Sequence, residues 1–137
     1  MPKASREELD WHEETRQDLA RAAAQLKLLS ASISGSLNRD QVHSLWLSYL
    51  YVEKSVAFIK IELDEENPGR FIKAKPYEIP DERQAIGLAQ RHLGIAIQGF
   101  AAGDLGGTLR ELRESRNYLR VLLKRVKRQR LKDRKSD

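Results

Sequence analysis

The chain has 137 residues, 33% of them charged and none of them cysteine, with a formal net charge of +5. That length suffices for one domain, residues 1–137, with one substantial core, and the missing cysteine excludes a disulfide framework and thiolate chemistry. No apolar run approaches the roughly 18 residues of a membrane span, and the acidic start MPKASREELD is neither signal nor transit peptide, so a cytoplasmic chain with no membrane partner is expected.

The first helix is predicted over about residues 6–33. Ser5 with Glu8 three residues later reads as a capping box, which satisfies orphan amides at a helix start. Thr15, Leu19, Ala22, Leu26, Leu29 and Ile33 step by four and three and draw one buried stripe. Glu7, Glu8, Asp10, Glu13 and Glu14 complement the helix dipole. Ser34-Gly35-Ser36 is the stop.

The second helix is predicted over 39–66, with Asn38 as cap and Gln41 at the third position. Val42, Leu45, Tyr49, Val52, Val56, Ile59 and Leu63 make an unbroken stripe. A second line, Trp46, Leu47, Leu50, Tyr51, Phe58 and Ile61, widens the apolar face. A helix apolar nearly all round is buried on most sides. This helix is therefore expected to be the most buried one, either the centre of the fold or half of a dimer interface. Large apolar patches mark interfaces, so Trp46, Leu47, Leu50, Tyr51 and Phe58 are the candidate contacts of a homodimer or higher oligomer.

Asn67-Pro68-Gly69 opens a loop over 67–80. Its Arg70, Phe71, Ile72, Lys73, Lys75 and Tyr77 interleave cations with aromatics, as single-strand-binding surfaces do; pinning of the loop to the helices accounts for the same residues. Glu62, Asp64, Glu65 and Glu66 cluster just before it, against the helix dipole. The third helix, 82–102, follows Asp81 and turns Ile86, Ala89, Leu93, Ile97 and Phe100 inward. Gly87 and Gly94 lie seven apart on one face, and a close helix–helix approach is the expected compensation for two interior glycines.

Gly103 closes the third helix and Asp104 caps the fourth, predicted over 105–132 with a tail at 133–137. So short a turn makes the two helices antiparallel neighbours. Leu105, Leu109, Leu112, Leu119, Leu123 and Val126 dock the fourth helix. Four such helices predict an all-α fold, an antiparallel four-helix bundle of two helical hairpins in up-down-up-down order, with a basic extension at the C-terminal helix.

That extension carries the functional signal. From Arg120 to Lys135 there are nine cations against one carboxylate, Asp133. Residues 1–70 hold 9 Lys/Arg against 12 Asp/Glu, net −3, and residues 71–137 hold 16 against 8, net +8. Such asymmetry points to nucleic acid or an acidic surface; the acidic half packing against the basic half, within one chain or between copies, produces the same split. A row of cations neutralises phosphates without reading bases. The candidates for sequence-independent DNA or RNA binding are Arg113, Arg116, Arg120, Lys124, Arg125, Lys127, Arg128, Arg130 and Lys132, with Lys73 and Lys75 as outlying contacts. The alternative is a protein-interaction or oligomerisation module whose basic helix meets an acidic protein surface.

No catalytic, cofactor or metal motif accompanies these features, so a non-enzymatic protein is expected. His12, His43 and His92 stand on three different helices, and no glutamate precedes any of them by the three residues that a di-metal helical bundle uses. There is no G-x-S-x-G, and Gly103, Gly106 and Gly107 lack the Lys-Ser/Thr pair of a phosphate-cradling loop.

The segment Ala101-Ala102-Gly103-Asp104-Leu105 resembles the Gly-Asp turn of tetratricopeptide-type and HEPN-type helical hairpins, over about fifty residues. The HEPN ribonuclease pattern of an Arg followed four to six residues later by His is missing, since Arg83 and His92 are nine apart. Arg110 and Asn117 echo only loosely the version that ends in Asn. The chain is assigned to neither group.

Overall fold

The computed structural model describes residues 6–63 and 81–135. It is all-α: α1 spans Arg6–Ser32, α2 Arg39–Glu62, α3 Glu82–Ala101 and α4 Leu105–Lys135. The predicted Ser5 capping box and the 67–80 loop, including Lys73 and Lys75, lie outside the described residues. So do Asp64, Glu65 and Glu66.

The helix starts follow the capping chemistry. Asn38 accepts from the Gln41 amide, and Gln41 Oε1 accepts from the Asn38 amide, each at 2.9 Å. The same Gln41 donates through Nε2 to the Ser32 carbonyl, also at 2.9 Å, so one side chain both caps α2 and ties it to the end of α1. Asp81 accepts from the Gln84 amide at 2.7 Å. Between α3 and α4, Gly103 takes φ +81°, a left-handed backbone that only glycine adopts freely. Asp104 then accepts from the Gly107 amide at 3.0 Å.

The contacts between helices run end to end in opposite senses. Late α2 meets early α1 through Lys54 with Glu14 and Asp18. The start of α3 meets the end of α1, where Arg83 donates to the Ile33 carbonyl at 3.0 Å. Ser115 of α4 donates to the Ala89 carbonyl of α3 at 2.9 Å, and Arg125 lies near Glu82. Arg116 and Arg120 of α4 reach Glu53 and Tyr49 of α2.

The neighbours are thus α1–α2, α3–α4, α2–α4 and α1–α3. This corrects the expected up-down-up-down order, which needs α2 beside α3 and α4 beside α1; neither pair touches among the described residues. Two-to-five-residue turns force adjacency. A connection as long as residues 64–80 does not.

The core is built from all four helices. The α1 stripe is buried as its periodicity requires, from Thr15 to Ile33. On α4 the inward line is Leu109, Leu112, Ser115, Leu119 and Leu122. Leu123 and Val126, expected on that line, are only half-buried beside it.

One expectation holds and another fails. Among the described residues α2 carries more buried side chains than any other helix, from Gln41 and Val42 to Val56 and Ile59, although Leu50 is 53% and Ile61 75% exposed. Gly87 and Gly94 support no close approach, because a Cβ built on either meets nothing within 4 Å. The close approach between α3 and α4 is at Gly99, where a Cβ would stand 3.0 Å from Thr108 Oγ1.

Candidate nucleic-acid interface

The α4 cations divide into two groups by what they touch. Three of them, Arg116, Arg120 and Arg125, face groups on neighbouring helices. Arg116 Nε lies 3.3 Å from Glu53 Oε1, with both side chains largely covered. Arg120 is exposed and donates to Tyr49 Oη at 3.4 Å; that hydrogen bond raises its pKa, and the guanidinium is charged at any working pH. Arg113 is half-buried. Arg125, half-buried, stands 3.8 Å from Glu82 at the start of α3.

The second group differs. Lys124, Lys127, Arg128, Arg130, Lys132 and Arg134 are all exposed. Among the described residues, no carboxylate stands within ion-pair distance of Lys124, Lys127, Arg128, Arg130 or Arg134. Like charges held this close on one helix repel.

These cations border two depressions. One, of about 890 Å³, lies where the end of α4 passes the α1–α2 turn and the start of α3; its rim includes Arg39, Glu82, Arg125, Arg128, Lys132 and Asp133. The other, of about 470 Å³, is a groove between α2 and α4. Its α2 wall is Trp46 and Tyr49, packed edge to face with ring centroids 5.9 Å apart. Its α4 wall is Arg120, Leu123, Lys124, Lys127, Arg130, Leu131 and Arg134.

Sequence reasoning missed Arg39, Tyr49 and Arg134 as members of this surface. It placed Trp46 in a self-association face instead. Of that face, Trp46 and Leu50 are 46% and 53% exposed, whereas Leu47, Tyr51 and Phe58 are half-buried. Tyr51 packs against the core, and Lys54 lies over the Phe58 ring while reaching to α1.

Of the acidic half of the chain, Glu53 pairs with Arg116 of the basic half, whereas among the described residues helix α1 packs on α2 and α3 and stays apart from α4. Three of its carboxylates have partners on α1 or α2: Glu13 with Arg16, Asp18 with Arg21, and Glu14 with Lys54. Pairing first with Glu14 and then with Asp18 holds the Lys54 ammonium above its ordinary pKa.

The histidines are dispersed. His12 lies tilted against the Trp11 and Phe100 rings, His43 is exposed, and His92 Nδ1 lies 2.7 Å from Glu111 Oε2. Among the described residues no group of three His, Cys, Asp or Glu is placed to hold a metal ion. None of their helices is long and apolar enough to cross a membrane.

Compared with known proteins, the chain matches no family model, no curated protein and no solved structure.

Proposed function

We propose that this is a non-enzymatic accessory protein that holds nucleic acid by its backbone through the C-terminal half of α4. The observation that carries the reading is the contrast within that one helix. Arg116, Arg120 and Arg125 answer Glu53, Tyr49 and Glu82, while Lys124, Lys127, Arg128, Arg130 and Arg134 are exposed and answer no carboxylate among the described residues.

This reading takes the molecule as an antiparallel bundle of two hairpins, α1–α2 and α3–α4. The head-to-tail contacts support that. It takes the end of α4 as a basic extension. Arg125 stands at the start of α3, and the ten residues after it, at 1.5 Å each, carry the helix about 15 Å further. A polyanion lying along such a rod meets charge at helical spacing and no base-reading side chains, so binding is sequence-blind.

A second reading is favoured by one observation. Trp46, Leu50 and Ile61 leave apolar surface on α2 in water, as a self-association face would. Truncation after Val126 separates the two. The nucleic-acid reading expects the truncated protein to keep its oligomeric state and lose its gel shift with DNA or RNA at low salt. Loss of assembly with no shift by the intact chain would leave the interaction module as the better account.

A further inference from the structure

We infer that the α2–α4 groove takes single-stranded nucleic acid, with a base stacked on Trp46 while the neighbouring α4 cations hold its phosphates. The inference rests on the reading above and names the form of the ligand.

Four observations carry it. Trp46 is the exposed large aromatic on the groove wall, at 46%, and Tyr49 holds its ring edge to face from one side. The ring is therefore braced in position with much of its surface open. Leu131, 50% exposed, faces the same groove from α4, giving an apolar second wall. Lys124, Lys127 and Arg130 line that wall as well. Finally, the groove holds about 470 Å³, within the roughly 300–1,000 Å³ of sites that bind small molecules.

The chemistry then selects the ligand. Apolar surface flanked by unmatched cations suits a group that is flat and apolar on its faces and attached to an anionic chain, which describes an unpaired nucleotide. Stacking on aromatics beside a cationic track is how single strands are held without sequence preference. Duplex bases are already stacked on each other and must be extruded to reach such a ring, so a duplex offers this groove its phosphates alone.

The test compares three ligands on the full chain: an oligothymidylate, an abasic strand of the same length, and a duplex. The phosphate count is the same in the two single strands, so any difference between them comes from the bases. The oligothymidylate is expected to bind about tenfold more tightly than the abasic strand. Trp46→Ala should bring that ratio to about one and leave the abasic affinity unchanged; Trp46→Tyr should keep most of the ratio. In a Trp11→Phe background, the remaining Trp46 emission should be quenched by the oligothymidylate and not by the abasic strand.

Equal affinity for both strands, or a ratio untouched by Trp46→Ala, overturns the stacking inference while leaving backbone binding intact. Failure of all three ligands to bind overturns both. A blue shift of Trp46 emission with rising protein concentration and no nucleic acid would give the groove to a second copy of the chain, and would also overturn the inference.

Discussion

Gly87 and Gly94 of α3 give the sharpest test of how its outer face is placed. Both sit in the helix interior, and a Cβ added to either meets nothing within 4 Å. Glycine in that setting is about 0.5–1 kcal/mol worse than alanine, through backbone entropy. With no clash to offset the gain, Gly87→Ala with Gly94→Ala should stabilise the fold by about 1–2 kcal/mol. For a chain of 137 residues, an unfolding entropy of ~290 cal/mol/K makes that a rise in Tm of about 3–7 °C. Thermal unfolding followed by circular dichroism measures it. Two controls sharpen the result. Gly99→Ala brings a Cβ to 3.0 Å from Thr108 Oγ1, a side chain already bonded to the Asp104 carbonyl, and should gain nothing. Gly107→Ala drives a Cβ into the Asp104 carboxylate and breaks the α4 cap, a loss of about 1 kcal/mol. A double alanine variant that is neutral or less stable would refute the placement, because it would mean that the face of α3 is packed against something.

Three further outcomes follow from named contacts. Ile61→Lys should change stability by no more than about 0.5 kcal/mol in urea unfolding, since Ile61 is 75% exposed, whereas Leu45→Lys, at 0%, buries an unpaired charge and should cost more than about 4 kcal/mol. The Lys54 pKa is raised by Glu14 and Asp18, so the stability from this pair is present in full below the unfolded lysine pKa and is lost as pH rises through the folded one. The Tm difference between wild type and Lys54→Met should therefore be flat from pH 6 to 9 and shrink above about pH 10. Asn38→Ala removes the acceptor for the Gln41 amide and should cost about 1 kcal/mol, read as a lower denaturation midpoint at constant m-value.

What could be read from the sequence is what depends on neighbours along the chain. The α1 stripe from Thr15 to Ile33 is periodic at every step and is buried at every step. The Asn38 and Asp81 caps and the Gly103 turn are local chemistry, and they stand where their residue types put them. What depends on neighbours across space was not legible. Trp46 and Leu50 have the same apolar character whether they face a core or water, so the exposure of this second line on α2 could not be read from the sequence. Gly87 and Gly94 show a spacing that suits a close contact, but only the packing of α3 says which face they occupy. On α4, Leu122 and Leu123 are adjacent leucines, and the choice between them turns on where α2 and α3 sit. The candidate site has the same limit. Its cations were plain in the run from Arg120 to Lys135, but that Trp46 and Tyr49 of α2 stand across from Lys124 and Lys127 follows from the α2–α4 pairing, which no local pattern encodes.

The central claim is that the unmatched cations at the end of α4 bind a polyanion, and salt dependence measures it most directly. Five exposed cations without a carboxylate partner among the described residues, Lys124, Lys127, Arg128, Arg130 and Arg134, should neutralise about five phosphates. Affinity for duplex DNA should then fall with salt at a log–log slope near −4.5. The triple change Lys124→Gln, Lys127→Gln and Arg128→Gln should flatten the slope by about 2.7 and leave the circular-dichroism spectrum unchanged. A slope that is near zero, or that is the same in the triple variant as in the wild type, would contradict the account.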